Sequence, residues 1–265
     1  MYEYVKRACD ILLSSVAVLV LSPLLVPVAV ILKLTGEHYI FYKQDRIGFK
    51  GKPFGLLKFA TMLKDSPNLA TGDITVTNDP RVLPFGHFLR KTKINELPQI
   101  INVLRGDMSI IGPRPLTRKN FDYYPAECKE VIGNMRPGLS GVGSIVFRNE
   151  ETLMADSHMP CHEFYRLHIA PHKGELETWY YNNRSIWLDT MLVCFTAGVI
   201  VFPNTDLFVR LLKSLPQRPV PLMAKGDRKG GKSVVQTAVG LPRIAEIRPT
   251  ARKAAKASVL GVSEK

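Results

Sequence analysis

Between Ile11 and Leu32 the chain reads ILLSSVAVLVLSPLLVPVAVIL, 22 residues without a charge. As a helix this run is about 33 Å long, one bilayer core. Asp10 abuts it and no small-x-small cleavage site follows, which argues against a cleaved signal peptide. Two readings remain. The plainer is a simple transmembrane helix. Against it, Ser22-Pro23 and Pro27 remove amide donors and disfavour straight helix at mid-depth. Basic residues also flank both ends, Lys6 and Arg7 before and Lys33, Lys43 and Arg46 after, so the positive-inside rule gives no orientation. A re-entrant helix-break-helix with both ends on the cytoplasmic face satisfies both observations. Its broken backbone then needs internal partners such as the Ser14, Ser15 or Ser22 hydroxyls. On these residues alone the two readings stand level. A second apolar run, Met191 to Phe202, has only 12 residues. It is too short to span and reads as core or as an interfacial helix.

The 265 residues suffice for one or two domains, and 46% hydrophobic content excludes global disorder. A net charge of +13 implies an anionic partner. That charge is uneven: residues 214–265 hold 11 Lys and Arg against three acids. This tail, rich in Pro, Gly, Ser and basic residues and without a sustained apolar period, reads as disordered. No fold signature or stacking aromatics point to nucleic acid, and anionic membrane lipid is the simpler partner. Four scattered cysteines (Cys9, Cys128, Cys161, Cys194) with no CxxC fit a reducing compartment. The histidines crowded into His158–His172 match no zinc spacing.

Tyr39–Gly48 and Pro53–Met62 read as two strands of a hairpin. Lys64–Pro80 reads as a loop and Arg81–Thr92 as a short helix interrupted near Pro84-Phe85-Gly86. Leu97, Ile100, Ile101 and Leu104 fall at helical spacing, with Asn95 at the N-cap position and Gly106 as the stop. Phe164–Val201 is helical in pattern, and its Trp179, Tyr180, Tyr181, Arg184 and Trp187 suit a membrane interface as well as a core. A helix start attracts phosphate, and here Arg90, Lys91, Lys93, Arg114 and Arg118 surround it. Glu96 among these cations is placed to hold a metal bridging phosphates or to attack phosphorus as a carboxylate. Gly112–Pro115 and Arg136–Gly141 read as backbone shaped around a ligand.

These motifs, in order, resemble the bacterial sugar transferases, the monotopic polyprenyl-phosphate phosphoglycosyl transferases. The resemblance runs from about Lys6 to Pro203. It rests on Lys6-Arg7-x-x-Asp10, Ser22-Pro23, Gln44-x-Arg46-x-Gly48, Lys58-Phe59, Asp79-Pro80-Arg81 and Leu89-Arg90-Lys91-Thr92. It continues through Glu96-Leu97-Pro98-Gln99, Asn102-Val103-Leu104, Gly106-Asp107-Met108-Ser109, Gly112-Pro113-Arg114-Pro115 and Arg136-Pro137-Gly138.

The resemblance implies a mainly helical α/β fold. In it a re-entrant membrane helix (residues 1–35) leads into a small cytoplasmic catalytic domain (36–213) with a short β-hairpin and interfacial amphipathic helices, and the basic tail occupies 214–265. It further implies Mg²⁺-dependent transfer of a sugar-1-phosphate from a UDP-sugar to undecaprenyl phosphate at the inner face of the bacterial cytoplasmic membrane. UMP is released and a lipid-linked glycan is begun.

Two positions depart from the family pattern. The usual Asp-Glu dyad, whose Asp is taken as the nucleophile, is Asn95-Glu96 here, and Lys-Phe-Arg is Lys58-Phe59-Ala60. The expected site is therefore Glu96 as metal ligand or nucleophile, Asn95 as its orienting partner and helix cap, and Asp107 as an alternative acid. Lys58, Arg90, Lys91, Arg114 and Arg136 are the expected substrate-binding cations. A silent partner of another transferase and a basic-tailed anchor protein are the alternatives to an active enzyme.

Overall fold

The computed structural model describes residues 1–66, 79–157, 159–201, 212, 214–217, 219 and 222. Most of the expected loop 64–80, His158 and nearly all of the basic tail lie outside these residues. Helix α1 (Tyr2–Leu34) holds the whole uncharged run, and its helical assignment continues through Pro23 and Pro27. Ser14 and Ser22 donate to backbone carbonyls of their own helix, Asp10 and Leu19 respectively. Among the described residues α1 is the one helix long and apolar enough to cross a membrane.

The two ends of α1 are held by the rest of the chain, and its middle is largely exposed. At the start, Asp10 and Ser14 are buried; at the finish, Val28 and Leu32 pack with Phe59 and Leu89. Between them Val16, Leu19, Val20 and Leu24 are open. Arg7 fixes the first end by donating to the carbonyls of Val103 and Leu104 at 2.6 and 2.7 Å. Asp10 accepts the Ile110 amide at 3.0 Å, and Lys6 and Tyr2 meet the Asp189 carboxylate, each at 2.8 Å.

The predicted hairpin forms as β1 (Phe41–Ile47) and β2 (Pro53–Phe59), antiparallel, with Tyr42 opposite Lys58 and Gln44 opposite Leu56. Helix α2 (Pro84–Lys91) begins at Pro84-Phe85-Gly86, where an interruption was expected. Pro84 lacks an amide proton that the first turn does not need. Gly86 is required by packing, because a Cβ there would run into the Thr61 carbonyl. Helix α3 (Gln99–Arg105) ends as expected at Gly106, whose φ of 92° suits glycine. Asn95 does not cap it. Asn95 lies inside a separate 3₁₀ turn, Ile94–Glu96, and Pro98 occupies the N-cap of α3.

The two Gly-Pro stretches have a different explanation from the ligand-shaped backbone expected of them. They are shaped around each other. Strands β3 (Ser109–Ile111) and β4 (Gly138–Ser140) form a short parallel pair that alternation could not reveal in three-residue segments. Ser109 donates to the Pro137 carbonyl, Gly138 to Pro113 and Gly112 to Ser140. A Cβ on Gly112 would meet the Arg136 carbonyl, and one on Gly141 would meet that of Gly112.

Short helices α4 (Arg118–Asp122), α5 (Ala126–Gly133), α6 (Val142–Val146), α7 (Glu150–Ala155) and α8 (Cys161–Phe164) follow. A π-turn at Tyr165–Ile169 leads from α8 into α9 (Ala170–Asn183). Pro171 explains it, since a proline cannot donate to the carbonyl four residues back. Helix α10 (Ile186–Val201) completes the main core with Ile111, Tyr124, Val142, Ile169, Leu176 and Leu192. Leu212, Leu215 and Leu222 pack in that same core.

Asn102 joins three of these parts. Fully buried on α3, its side chain accepts the Leu57 amide at 2.9 Å and donates to the Gly55 carbonyl at 2.9 Å and to Asp107 at 3.1 Å. Asn102→Ala strands the buried amide and carbonyl of β2. It should cost about 3 kcal/mol and lower the thermal midpoint of detergent-solubilised protein by roughly 10 °C; a shift under 2 °C would contradict this role.

Candidate active site

A cleft of about 330 Å³ lies against the hairpin. Period-2 geometry places Tyr42, Gln44 and Arg46 of β1 on one face, beside Lys58 of β2. All four line the cleft, as do Arg90 at the end of α2 and Lys93, Asn95 and Glu96 of the 3₁₀ turn. Lys93 enters that turn with a φ of 59°, an uncommon conformation for lysine. The turn buries Asn95 and aims Glu96 at Lys58, with Nζ to Oε1 at 3.6 Å. Among the described residues, the carboxylates lining the cleft are Glu37 and Glu96. Glu37 already accepts the Lys64 backbone amide.

Burial holds the Lys58 ammonium below the ordinary lysine value. Glu96 opposes that effect, and the positive charges of Arg46 and Arg114 reinforce it. Arg46 is fixed by donating to Gln44 Oε1 at 2.7 Å and, more weakly, to the Pro115 carbonyl at 3.4 Å. The result is a cationic wall of Lys58, Arg46 and Arg90 around Glu96, with Arg114 beside it. Such a wall holds a dianionic ligand better than a neutral one. Asn95 Oδ1 is buried and has no hydrogen-bond partner. An acceptor oxygen left without a donor suits a cation.

The expected residues thus divide. Lys58, Arg90, Asn95 and Glu96 meet in the cleft. Arg114 is exposed beside it, close enough to act on Lys58. Lys91 is exposed outside the lining. Asp107 also lies outside the lining, with its Oδ2 on Asn102. Arg136 donates to the Gly106 carbonyl at 3.1 Å and lies over the Phe49 ring.

Arg46, Glu37, Tyr39 and Lys64 were not among the expected site residues. Arg46 stood in a quoted motif, and the alternation of β1 would have placed it beside Tyr42 and Gln44. No motif marks the others.

Behind Arg114 lies a buried polar group. Lys173 pairs with Glu150, its ammonium 5.2 Å from the Phe147 ring centroid and 5.6 Å from that of Tyr165. Burial pushes the Glu177 carboxyl up to about 7, opposed by Lys173 and by the Gly143 amide. Among the described residues no group of three or more His, Cys, Asp or Glu side chains gathers as a metal site.

Comparison with known proteins adds family and relatives. The profile described as "Bacterial sugar transferase" matches residues 1–203. The chain is 34% identical to the UDP-N-acetylgalactosamine-undecaprenyl-phosphate N-acetylgalactosaminephosphotransferase of Aeromonas hydrophila, over 76% of this chain and 44% of the relative. It is 31% identical to the exopolysaccharide production protein ExoY of Rhizobium meliloti, over 74% of this chain and 84% of the relative. With the UDP-glucose:undecaprenyl-phosphate glucose-1-phosphate transferase of Caulobacter vibrioides it shares 34% identity, over 72% and 67%. The chain thus spans less than half the length of several relatives it matches and most of the length of others.

If Lys58 holds a phosphate, affinity for a diphosphate ligand such as pyrophosphate should weaken as pH rises. Because burial lowers the Lys58 pKa, the loss should begin below the pH at which an ordinary lysine deprotonates. Lys58→Arg keeps the charge and should move that limb upward. An unmoved limb in a titration calorimetry series would assign it elsewhere.

Proposed function

The chain belongs to the bacterial sugar transferase family, and from that premise we propose that it transfers a sugar-1-phosphate from a UDP-sugar to undecaprenyl phosphate. The observation that carries the reading is the Lys58–Glu96 pair, set in a cleft lined by Arg46 and Arg90 with Arg114 beside it. Both substrates are phosphates, and cations must offset their mutual repulsion. The sugar-bearing phosphorus of the donor is attacked, its bond to the bridging oxygen breaks and UMP leaves. The lipid phosphate ends bonded to that phosphorus, and a lipid-linked glycan for exopolysaccharide, capsule or glycoconjugate is begun.

Mg²⁺ fits the residues present. Asn95 Oδ1 and the Glu96 carboxylate are adjacent oxygen donors, and the Asn95 oxygen has no other partner. Such a pair, with water and substrate phosphate, is the ligand set that this ion accepts. Bound there, the ion would offset phosphate charge. An amide cannot be the attacking group, so Asn95 positions and Glu96 carries the chemistry. Lys58, paired with Glu96 at 3.6 Å, neutralises the donor, while Arg114 approaches the donor phosphates from the outer edge. Arg136 and Asp107 hold the backbone around Gly106 and Asn102.

The membrane arrangement belongs to the same proposal. The helix α1 enters the bilayer and leaves it on the same, cytoplasmic face, and the basic residues of the tail beyond the core-packed Leu215 and Leu222 meet anionic lipid there. The support is that both ends of α1 are held by one domain, through Arg7 and Asp10 at the start and Val28 and Leu32 at the finish. The ten residues between, Ser15 to Leu24, reach about 15 Å, half the thickness of a bilayer core.

UMP release by purified protein, given undecaprenyl phosphate, Mg²⁺ and a panel of UDP-sugars, should appear in wild type. Glu96→Gln should reduce it at least a hundredfold. Release that needs the lipid marks direct transfer, whereas one equivalent without lipid marks a covalent step at Glu96. If wild type is inactive throughout the panel and Asn95→Asp switches it on, the protein is the silent partner of an active transferase. For the membrane arrangement, single cysteines at Tyr4 and Glu130 in a background lacking the four native ones should be labelled from the same side. Labelling from opposite sides refutes the re-entrant path.

A further inference from the structure

The cleft extends beyond Glu96. Its lining continues through Thr35, Glu37 and Tyr39, residues that follow directly on Leu34 at the end of α1. Glu37, Tyr39 and Phe41 also line a second, shallow groove of about 550 Å³ together with Lys33 and Ile40. The two spaces therefore share a wall. Lys33 of α1 lines this groove, and its helix neighbours Val30, Ile31 and Leu34 are exposed, so the groove adjoins the surface that the apolar helix offers to lipid.

At the junction of groove and cleft lies Lys64. Its ammonium sits 4.9 Å from the centroid of the Tyr39 ring, and its backbone amide is tied to Glu37. Lys64 lines the cleft with Lys58 and Glu96, whereas Arg46, opposite Phe54 and against the Pro115 carbonyl next to Arg114, lies toward the turn end of the hairpin. Tyr39 itself is half open. A cation fixed over an aromatic ring, where an apolar surface passes into a polar cleft, matches a molecule with an apolar tail and an anionic head.

We propose that this junction is the acceptor subsite. The groove from Lys33 to Phe41 takes the first isoprene units of the polyprenyl phosphate, and Lys64 holds its phosphate toward Glu96. The proposal rests on the transferase reading and deepens it. It divides the cleft in two: the lipid enters at the end of α1, and the soluble donor at the Arg46–Arg114 end. The apolar chain then never crosses the polar cleft, because only its head leaves the bilayer surface.

Equilibrium binding of undecaprenyl phosphate to full-length protein in nanodiscs tests it without requiring turnover. Lys64→Gln should weaken binding about tenfold, with affinity for UDP within twofold of wild type. Lys64→Arg should restore most of the loss, and phosphatidic acid should compete poorly. Unchanged lipid affinity in Lys64→Gln overturns the proposal, as does an equal loss of UDP affinity. Equal competition by phosphatidic acid overturns it too, making the groove a general anionic-lipid site. In the UMP assay the variant should raise KM for the lipid about tenfold and leave kcat and the donor KM within twofold. If lipid binding depends on Lys64 while wild type releases no UMP, the subsite stands and the transferase reading falls.

Discussion

The carboxyl end of α3 is where the pieces of this protein are tied together. A helix terminus leaves carbonyls without intrahelical donors, and here several are taken by groups from other parts of the chain or by the turn that follows. Arg7 of the apolar helix takes those of Val103 and Leu104. Gly106, Asp107 and Met108 fold back onto Asn102, and Arg136 takes the Gly106 carbonyl. The Asn102 side chain then reaches across to β2. Because β2 carries Lys58 and α3 follows the turn that carries Glu96, these bonds fix the two charged groups of the cleft relative to each other. They also fix both relative to the membrane helix.

That placement answers a problem that the proposed substrates would set. A lipid phosphate stays at the bilayer surface and a nucleotide sugar stays in water, so the reacting groups must sit where the chain leaves the apolar phase. The cleft meets this requirement, since its lining begins one residue after α1 ends. The same placement raises an electrostatic difficulty. Lysine partly withdrawn from water tends to lose its proton, and Arg46 and Arg114 beside Lys58 strengthen that tendency. Glu96 at 3.6 Å opposes it. An anionic ligand would oppose it further, so binding a diphosphate would relieve the repulsion among these cations.

Much of the outline was legible in the sequence because it is written in local patterns. The uncharged run, the alternation through the hairpin, the stop at Gly106 and the family motifs each depend on residues close together. What could not be read depends on contacts between distant segments. The pairing of β3 with β4 joins three-residue strands almost thirty positions apart, too short for period 2 to register. The glycines of those strands had been read as making room for a ligand, and instead they make room for each other. Asn95 fitted the N-cap pattern, but a 3₁₀ turn and Pro98 intervene before α3 begins. Lys64 and Tyr39 belong to no motif. Their importance comes from the hairpin bringing residues at the end of α1 against the cleft.

Asn95 also shows how one substitution can redefine a site without dismantling it. Replacing a carboxylate by an amide removes a nucleophile and a negative charge but keeps an oxygen at nearly the same place. In this fold that oxygen is buried without a donor, an arrangement that costs stability unless a cation or ligand occupies the cleft. The missing negative charge is matched nearby by a missing positive one, since Ala60 stands where the family usually has arginine, and Ala60 lines the same cleft. The two departures therefore fall in one electrostatic environment, and their effects on its net charge oppose each other. A site drifting out of use would be free to lose its cations singly. Lys58, Arg46 and Arg90 remain in the cleft with Glu96, an arrangement whose charge suits a phosphate.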